Sequence, residues 1–105
     1  MYKICVYVPK ASVETVKRAM FAAGAGRIGN YACCAWQVKG QGQFEPQAGS
    51  TPALGRQGKL ETVDEYRVEM VCADAAISAV LDALRAAHPY EEPAYQYWPV
   101  NPTLG

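Results

Sequence analysis

The run His88-Pro89-Tyr90-Glu91-Glu92-Pro93-Ala94-Tyr95 limits what this chain can fold into more than any other stretch. Pro89 cannot continue a helix, and it drives His88 toward extended backbone, so the Ala/Leu-rich run before it must end here. Two carboxylates follow in a short loop. Pro93 then suits the first residue of a strand or an edge strand. The run is a rigid helix-to-strand joint. Read structurally, it is punctuation, with His88 near the negative end of the helix dipole. Read chemically, it gathers one imidazole, one phenol and two carboxylates. Against the three or four defined ligands of ordinary zinc sites that is a thin set. The structural reading therefore ranks first. His88, Glu91 and Glu92 stand as weak candidates for a divalent metal, and no cofactor is predicted.

With 105 residues, half of them hydrophobic, the chain predicts one domain with a core of its own. Ten basic side chains balance ten acidic ones, which leaves no electrostatic footprint for nucleic acid and no basic stripe for an anionic membrane. No apolar run approaches spanning length, and the N-terminus carries no signal-peptide pattern. The four cysteines, Cys5, Cys33, Cys34 and Cys72, lie in apolar runs without metal-site spacing. They read as buried, reduced, small hydrophobes of a cytoplasmic protein. In a strand, Cys33 and Cys34 would point to opposite faces and not share an ion.

Residues 2–8 alternate, with Tyr2, Ile4, Val6 and Val8 on one face and Lys3, Cys5 and Tyr7 on the other, as a strand does. Ser12 is placed to cap a helix whose stripe is Val13, Val16, Met20 and Ala23, and Gly24 to end it. Residues 24–29 spell G-x-G-x-x-G, but helix precedes and strand follows, the reverse of a dinucleotide site. Residues 31–38 predict a second strand, apolar on both faces and so central or covered by a partner. Residues 40–58 are rich in glycine, proline and glutamine and predict a long irregular loop. Phe44 and Leu54 would anchor it, and Ser50, Thr51, Arg56 and Lys59 offer an anion-binding alternative. Residues 60–72 predict a third strand with a charged row, Glu65, Arg67 and Glu69, read as solvated. Asp74 would cap a second helix striped with Ile77, Val80, Leu81 and Leu84. After the joint, residues 95–98 predict a last strand, which Pro99 ends or confines to an edge, and residues 101–105 a tail.

Strand, helix, strand, strand, helix, strand is the split βαβ order. It gives an α+β, ferredoxin-like βαββαβ fold, an antiparallel sheet with both helices on one face. The other face is left bare, and Cys5, Tyr7, Tyr31 and Cys33 are expected there. Leaving so much apolar surface in water costs about 25 cal/mol per Å². The chain is therefore expected to pair with itself as a homo-oligomer.

The spacings also resemble a known family. Gly29-x-Tyr31-x-x-Cys34, Gly40-x-Gly42-x-Phe44-x-Pro46, Gly49-x-x-Pro52-x-x-Gly55-x-x-Gly58-x-x-Glu61 and residues 87–95 resemble the YqfO type of NIF-three-like protein, over nearly the whole chain. More narrowly, the chain looks like the small domain inserted in the middle of those larger proteins, standing alone. His88, Pro89, Tyr90, Glu91 and Pro93 also resemble the joint of CutA-type divalent-cation tolerance proteins. That resemblance implies a trimer and a proposed link to copper. PII-type signalling proteins are similar in fold only. The larger YqfO relatives imply two metal ions, held by histidines and carboxylates in their flanking domains. One histidine cannot rebuild that centre, so neither it nor a hydrolase activity is carried over.

Three functions compete. The first is a non-enzymatic oligomeric module, trimer favoured, that binds a small ligand or a protein partner. Its intersubunit cleft would lie between residues 40–58 and the joint, with Phe44, Ser50, Arg56, His88, Tyr90, Glu91 and Glu92 as candidate ligand-binding residues. The second is a metal-binding protein of CutA type. The third is an enzyme using His88 with Glu91 or Glu92 as acid–base pair. No nucleophile is identifiable, and the reading leans away from an enzyme.

Overall fold

The computed structural model describes residues 1–102; the last three residues of the expected tail, 103–105, lie outside it. The elements are β1 (Tyr2–Pro9), α1 (Val13–Ala22), β2 (Trp36–Phe44), β3 (Glu61–Cys72), α2 (Ile77–Ala87) and β4 (Tyr95–Pro99). Their sheet order is β2-β3-β1-β4, with every neighbouring pair antiparallel. This is the expected ferredoxin-like α+β arrangement.

One face of the sheet holds the core. Ile4, Val6 and Val8 of β1 and Val68, Met70 and Cys72 of β3 meet Val13, Val16 and Met20 of α1 and Val80, Leu81 and Leu84 of α2. Both helical stripes fall where their 3.6-residue spacing puts them. Gly24 ends α1 at φ +118°, a left-handed conformation that favours glycine. The Gly24 N–H donates to the Phe21 carbonyl and the Ala25 N–H to the Met20 carbonyl, the double closure of a Schellman motif.

The helix starts differ from expectation. Short 3₁₀ turns, Lys10–Ser12 and Asp74–Ala76, lead into the helices, and neither Ser12 nor Asp74 caps one through its side chain. The Asp74 carboxylate instead pairs with the Met1 amino group.

The larger correction concerns β2. It runs over Trp36–Phe44, five residues later than its apolar pattern predicts, and it is an edge strand. Residues 31–35 cannot join it: Ile28 and Tyr31 form an isolated bridge, and Cys33 turns left-handed at φ +58°. Tyr31 and Cys33 are therefore exposed in a connection rather than placed on the bare sheet face, and of the four cysteines only Cys5 and Cys72 are buried. Residues 40–44, read as loop for their glycines, pair with β3 from Gly40↔Glu65 to Phe44↔Glu61. The irregular loop shrinks to residues 45–60.

Alternation and register together assign the uncovered face. Trp36 and Val38 of β2, Glu65, Arg67 and Glu69 of β3, Cys5 and Tyr7 of β1, and Trp98 of β4 lie there. Trp36 is 55% and Trp98 41% exposed. Of the charged row expected to be solvated only Arg67 is exposed, lying over the Trp36 ring at 5.8 Å; Glu65 and Glu69 are half-buried, and Glu69 meets Lys3 at 3.4 Å.

Leu84 is completely buried between the helices and the sheet. Leu84→Ala is expected to lower unfolding stability by about 2–5 kcal/mol, read from the urea midpoint at unchanged slope.

Candidate functional site

The site is built from the joint outward. α2 ends at His88, whose backbone turns extended (φ −70°, ψ 138°) ahead of Pro89. This turn swings the imidazole back under the sheet, where it is the one buried polar side chain among the described residues. Nε2 lies 2.7 Å from the Tyr7 carbonyl oxygen of β1, and Nδ1 accepts the Tyr90 N–H at 3.1 Å. A carbonyl can only accept and an amide N–H can only donate. The imidazole is therefore neutral, with its proton on Nε2. Burial lowers its pKa, and the Tyr7 carbonyl opposes this more weakly.

His88 in turn fixes Tyr90. Their rings pack at 5.1 Å, and Tyr90 packs against Phe44, at the end of β2, at 5.8 Å. The loop of residues 45–60 is bonded to itself: Ser50 donates N–H and hydroxyl to the Gln47 carbonyl, and the Gly58 N–H meets the Pro46 carbonyl at 2.6 Å. It is also tied to the joint, because the Thr51 N–H donates to Glu91 Oε1 at 2.8 Å. A groove of about 620 Å³ lies between loop and joint. The loop and the joint, the two stretches expected to border a cleft between subunits, thus already border an open groove within a single chain.

Of the seven candidate residues, Phe44, Ser50, Tyr90, Glu91 and Glu92 line this groove. His88 stands behind it as a support. Arg56 does not line it; it is exposed in the loop, where its carbonyl accepts the Lys59 N–H. The anion-binding reading of the loop also changes, since Thr51 and Ser50 have spent their N–H groups and the anion Thr51 holds is Glu91 itself. The acid–base pair does not assemble, because both His88 nitrogens face backbone groups and Glu91 faces Thr51. No group of three or more His, Cys, Asp or Glu side chains suited to a metal ion occurs among the described residues.

Sequence reasoning missed Tyr7 and Glu65 as lining residues. Glu65 belongs to the charged row but is half-buried, and burial raises its pKa. A side chain at Gly42 would collide with it: an added Cβ would lie 2.0 Å from the carboxylate. Gly42 thus lets Glu65 lie back across β2. Burial and the Glu65 charge both raise the Tyr90 phenol, whose oxygen is buried without a hydrogen-bond partner among the described residues.

Two outcomes follow. The folded pKa of His88 lies below its ordinary 6.5, so the unfolded chain binds more protons, and stability rises with pH. The His88 contribution is fully present above about pH 6.5 and is lost as pH falls through the folded value. Urea midpoints of wild type and His88→Asn are expected to converge between pH 8 and pH 5. Glu91→Ala should change global stability by about 1 kcal/mol or less, as for other exposed polar contacts, while hydrogen exchange at the Thr51 amide speeds up.

No protein-family model matches the chain. Curated relatives do. The chain is 48% identical over 103 residues to the GTP cyclohydrolase 1 type 2 homolog of Mycobacterium leprae, covering 98% of this chain and 27% of that protein. It is 46% identical over 101 residues to the homolog of the same name in Bacillus subtilis, covering 96% and 27%. The chain thus spans about a quarter of the length of these relatives. A Bacillus cereus protein related to NIF3 superposes with a TM-score of 0.81 at 40% identity, over 95% of this chain and 25% of that one. CutA1 from Pyrococcus horikoshii superposes with a TM-score of 0.70 at 16% identity, over 99% and 87%, and at that identity the likeness shows the fold alone. In sequence and in fold this chain is similar to one quarter-length section of the NIF3-related, YqfO-type proteins.

Proposed function

We propose that this chain is a non-enzymatic binding or regulatory module, working as a homo-oligomer, whose ligand site is the groove between residues 45–60 and the joint. The groove itself is the observation that carries this reading. Its volume of about 620 Å³ falls in the ordinary range of small-molecule sites, roughly 300–1,000 Å³. Loop and joint close it through the Thr51–Glu91 hydrogen bond and the Phe44–Tyr90 contact, so a ligand bound there would act on both at once. The uncovered sheet face supports the oligomer, since Trp36 and Val38 present apolar surface at the β2 edge and Trp98 at the β4 edge.

The name borne by the relatives points to GTP chemistry in proteins about four times as long. This groove has the wrong sign for a nucleoside triphosphate. Glu45, Glu65, Glu91 and Glu92 line it, and among the described residues no lysine, arginine or histidine does. Like charges at such a site repel the ligand.

Dilution light scattering and amide NMR test the reading together. The expected results are a stable multimer, with a trimer favoured, and ligand-induced shifts at the Thr51 and Tyr90 amides. A monomer at micromolar concentration overturns the oligomer. A screen of small molecules that moves other amides but never these two overturns the site.

A further inference from the structure

The floor of the groove holds two polar groups, a half-buried carboxylate still open to the groove and a fully buried hydroxyl. Glu65 is half-buried, and among the described residues its carboxylate has neither an ion pair nor a hydrogen bond. Beside it, the Tyr90 hydroxyl oxygen is buried, with no partner among the described residues. Buried polar groups are nearly always paired, and a carboxylate withdrawn from water is costly until it meets a positive charge or a proton. The nearest basic side chain on the same strand offers neither. Arg67 is turned along β3, its guanidinium over Trp36 and its Nε 3.8 Å from Glu69.

The rest of the lining narrows the chemistry. Three further carboxylates, Glu45, Glu91 and Glu92, surround the same space. Two of them are already engaged, Glu45 by Gln47 and Glu91 by Thr51. Glu92 stays exposed at the rim. The aromatic rings of Tyr7, Phe44 and Tyr90 supply apolar surface and electron-rich faces, both favourable to a cation carried on a flat body. Gly42 keeps the floor open, because any side chain there would displace the Glu65 carboxylate.

We propose that this groove takes a small organic cation, an ammonium or amidinium group on a flat apolar body, with Glu65 as its counter-ion and Glu92 at the entrance. This rests on the reading of the groove as the ligand site, and adds the charge and shape of what enters it. Gly42, diagonal to Glu65 on β2, and the turn of Arg67 toward Trp36 both leave the carboxylate free for such a ligand. On binding, the cation replaces the missing partner of Glu65, so the Glu65 carboxyl pKa falls.

The test uses the whole chain and three probes of one shape: benzamidinium, benzamide and benzoate. Each is titrated while amide spectra and the Glu65 carboxyl signal are followed. Benzamidinium is expected to shift the Thr51 and Tyr90 amides, to bind at least about tenfold more tightly than benzamide, and to lower the Glu65 pKa. Glu65→Gln should weaken it by about tenfold or more. Glu92→Gln, a change at the exposed rim that leaves the floor intact, should weaken it less. Benzamide or benzoate binding as tightly at the same amides overturns the cation and leaves the groove as a site. Shifts from none of the three at Thr51 or Tyr90 overturn the cation and count against the groove. Unchanged benzamidinium affinity in a folded Glu65→Gln variant overturns Glu65 as the counter-ion.

Discussion

A neutral imidazole held between two backbone groups sets the geometry from which the groove is made. The Nε2–H of His88 reaches β1 at the Tyr7 carbonyl, and its Nδ1 receives the amide of Tyr90. Neither contact depends on a neighbouring side chain. Pro89 supplies the extended turn, and the imidazole converts that turn into a fixed direction for Tyr90. Tyr90 reaches Phe44 at the end of β2, so one ring joins the C-terminus of α2, the middle of the sheet and the start of the loop. A group in this position is poorly suited to be a metal ligand or a general base. Its lone pair is already taken and its surroundings oppose charge.

Electrostatics on the uncovered face divide along β3. Glu69 is compensated by Lys3 and Arg67, whereas Glu65 has no ion pair among the described residues. These residues look equivalent in a row of alternating charges. Their difference comes from the partner strand, where Gly42 has no side chain to stand between Glu65 and β2. Covering a carboxylate without pairing it is unfavourable, and the pKa of Glu65 moves up accordingly. In the loop the opposite holds: Glu91 is an exposed carboxylate used as a strap, taking an amide that would otherwise be free for an external anion.

Much of the architecture was legible because it depends on periodicity. Ile4, Val6 and Val8 alternate, Val80, Leu81 and Leu84 recur by helical turns, and Pro89 and Gly24 stop helices for steric reasons that need no tertiary context. The bounds of β2 were not legible. Tyr31, Ala32 and Cys33 carry strand-like apolarity, yet Cys33 turns left-handed, and Gly40 and Gly42 look like loop residues, yet they pair with β3. What decides there is the hairpin register, a property of two strands. Arg56 lies outside the groove lining for a related reason: closeness in the loop sequence does not place a side chain toward the joint. Tyr7 and Glu65 could have been found by alternation, which puts both on the bare face. Their joining to Tyr90 needed the fold.

The groove and the uncovered face share their strands. Tyr7 and Glu65 line the groove, and Arg67, Trp36 and Trp98 continue the same face toward the β2 and β4 edges. A second copy seated on those tryptophans would meet the same β3 row that ends at Glu65. Arg67 stands between the two regions and is tied to Trp36 on the side away from the groove. The groove and the uncovered face therefore meet on the β2–β3 pair with its glycine, and neither is a property of the joint or the loop alone.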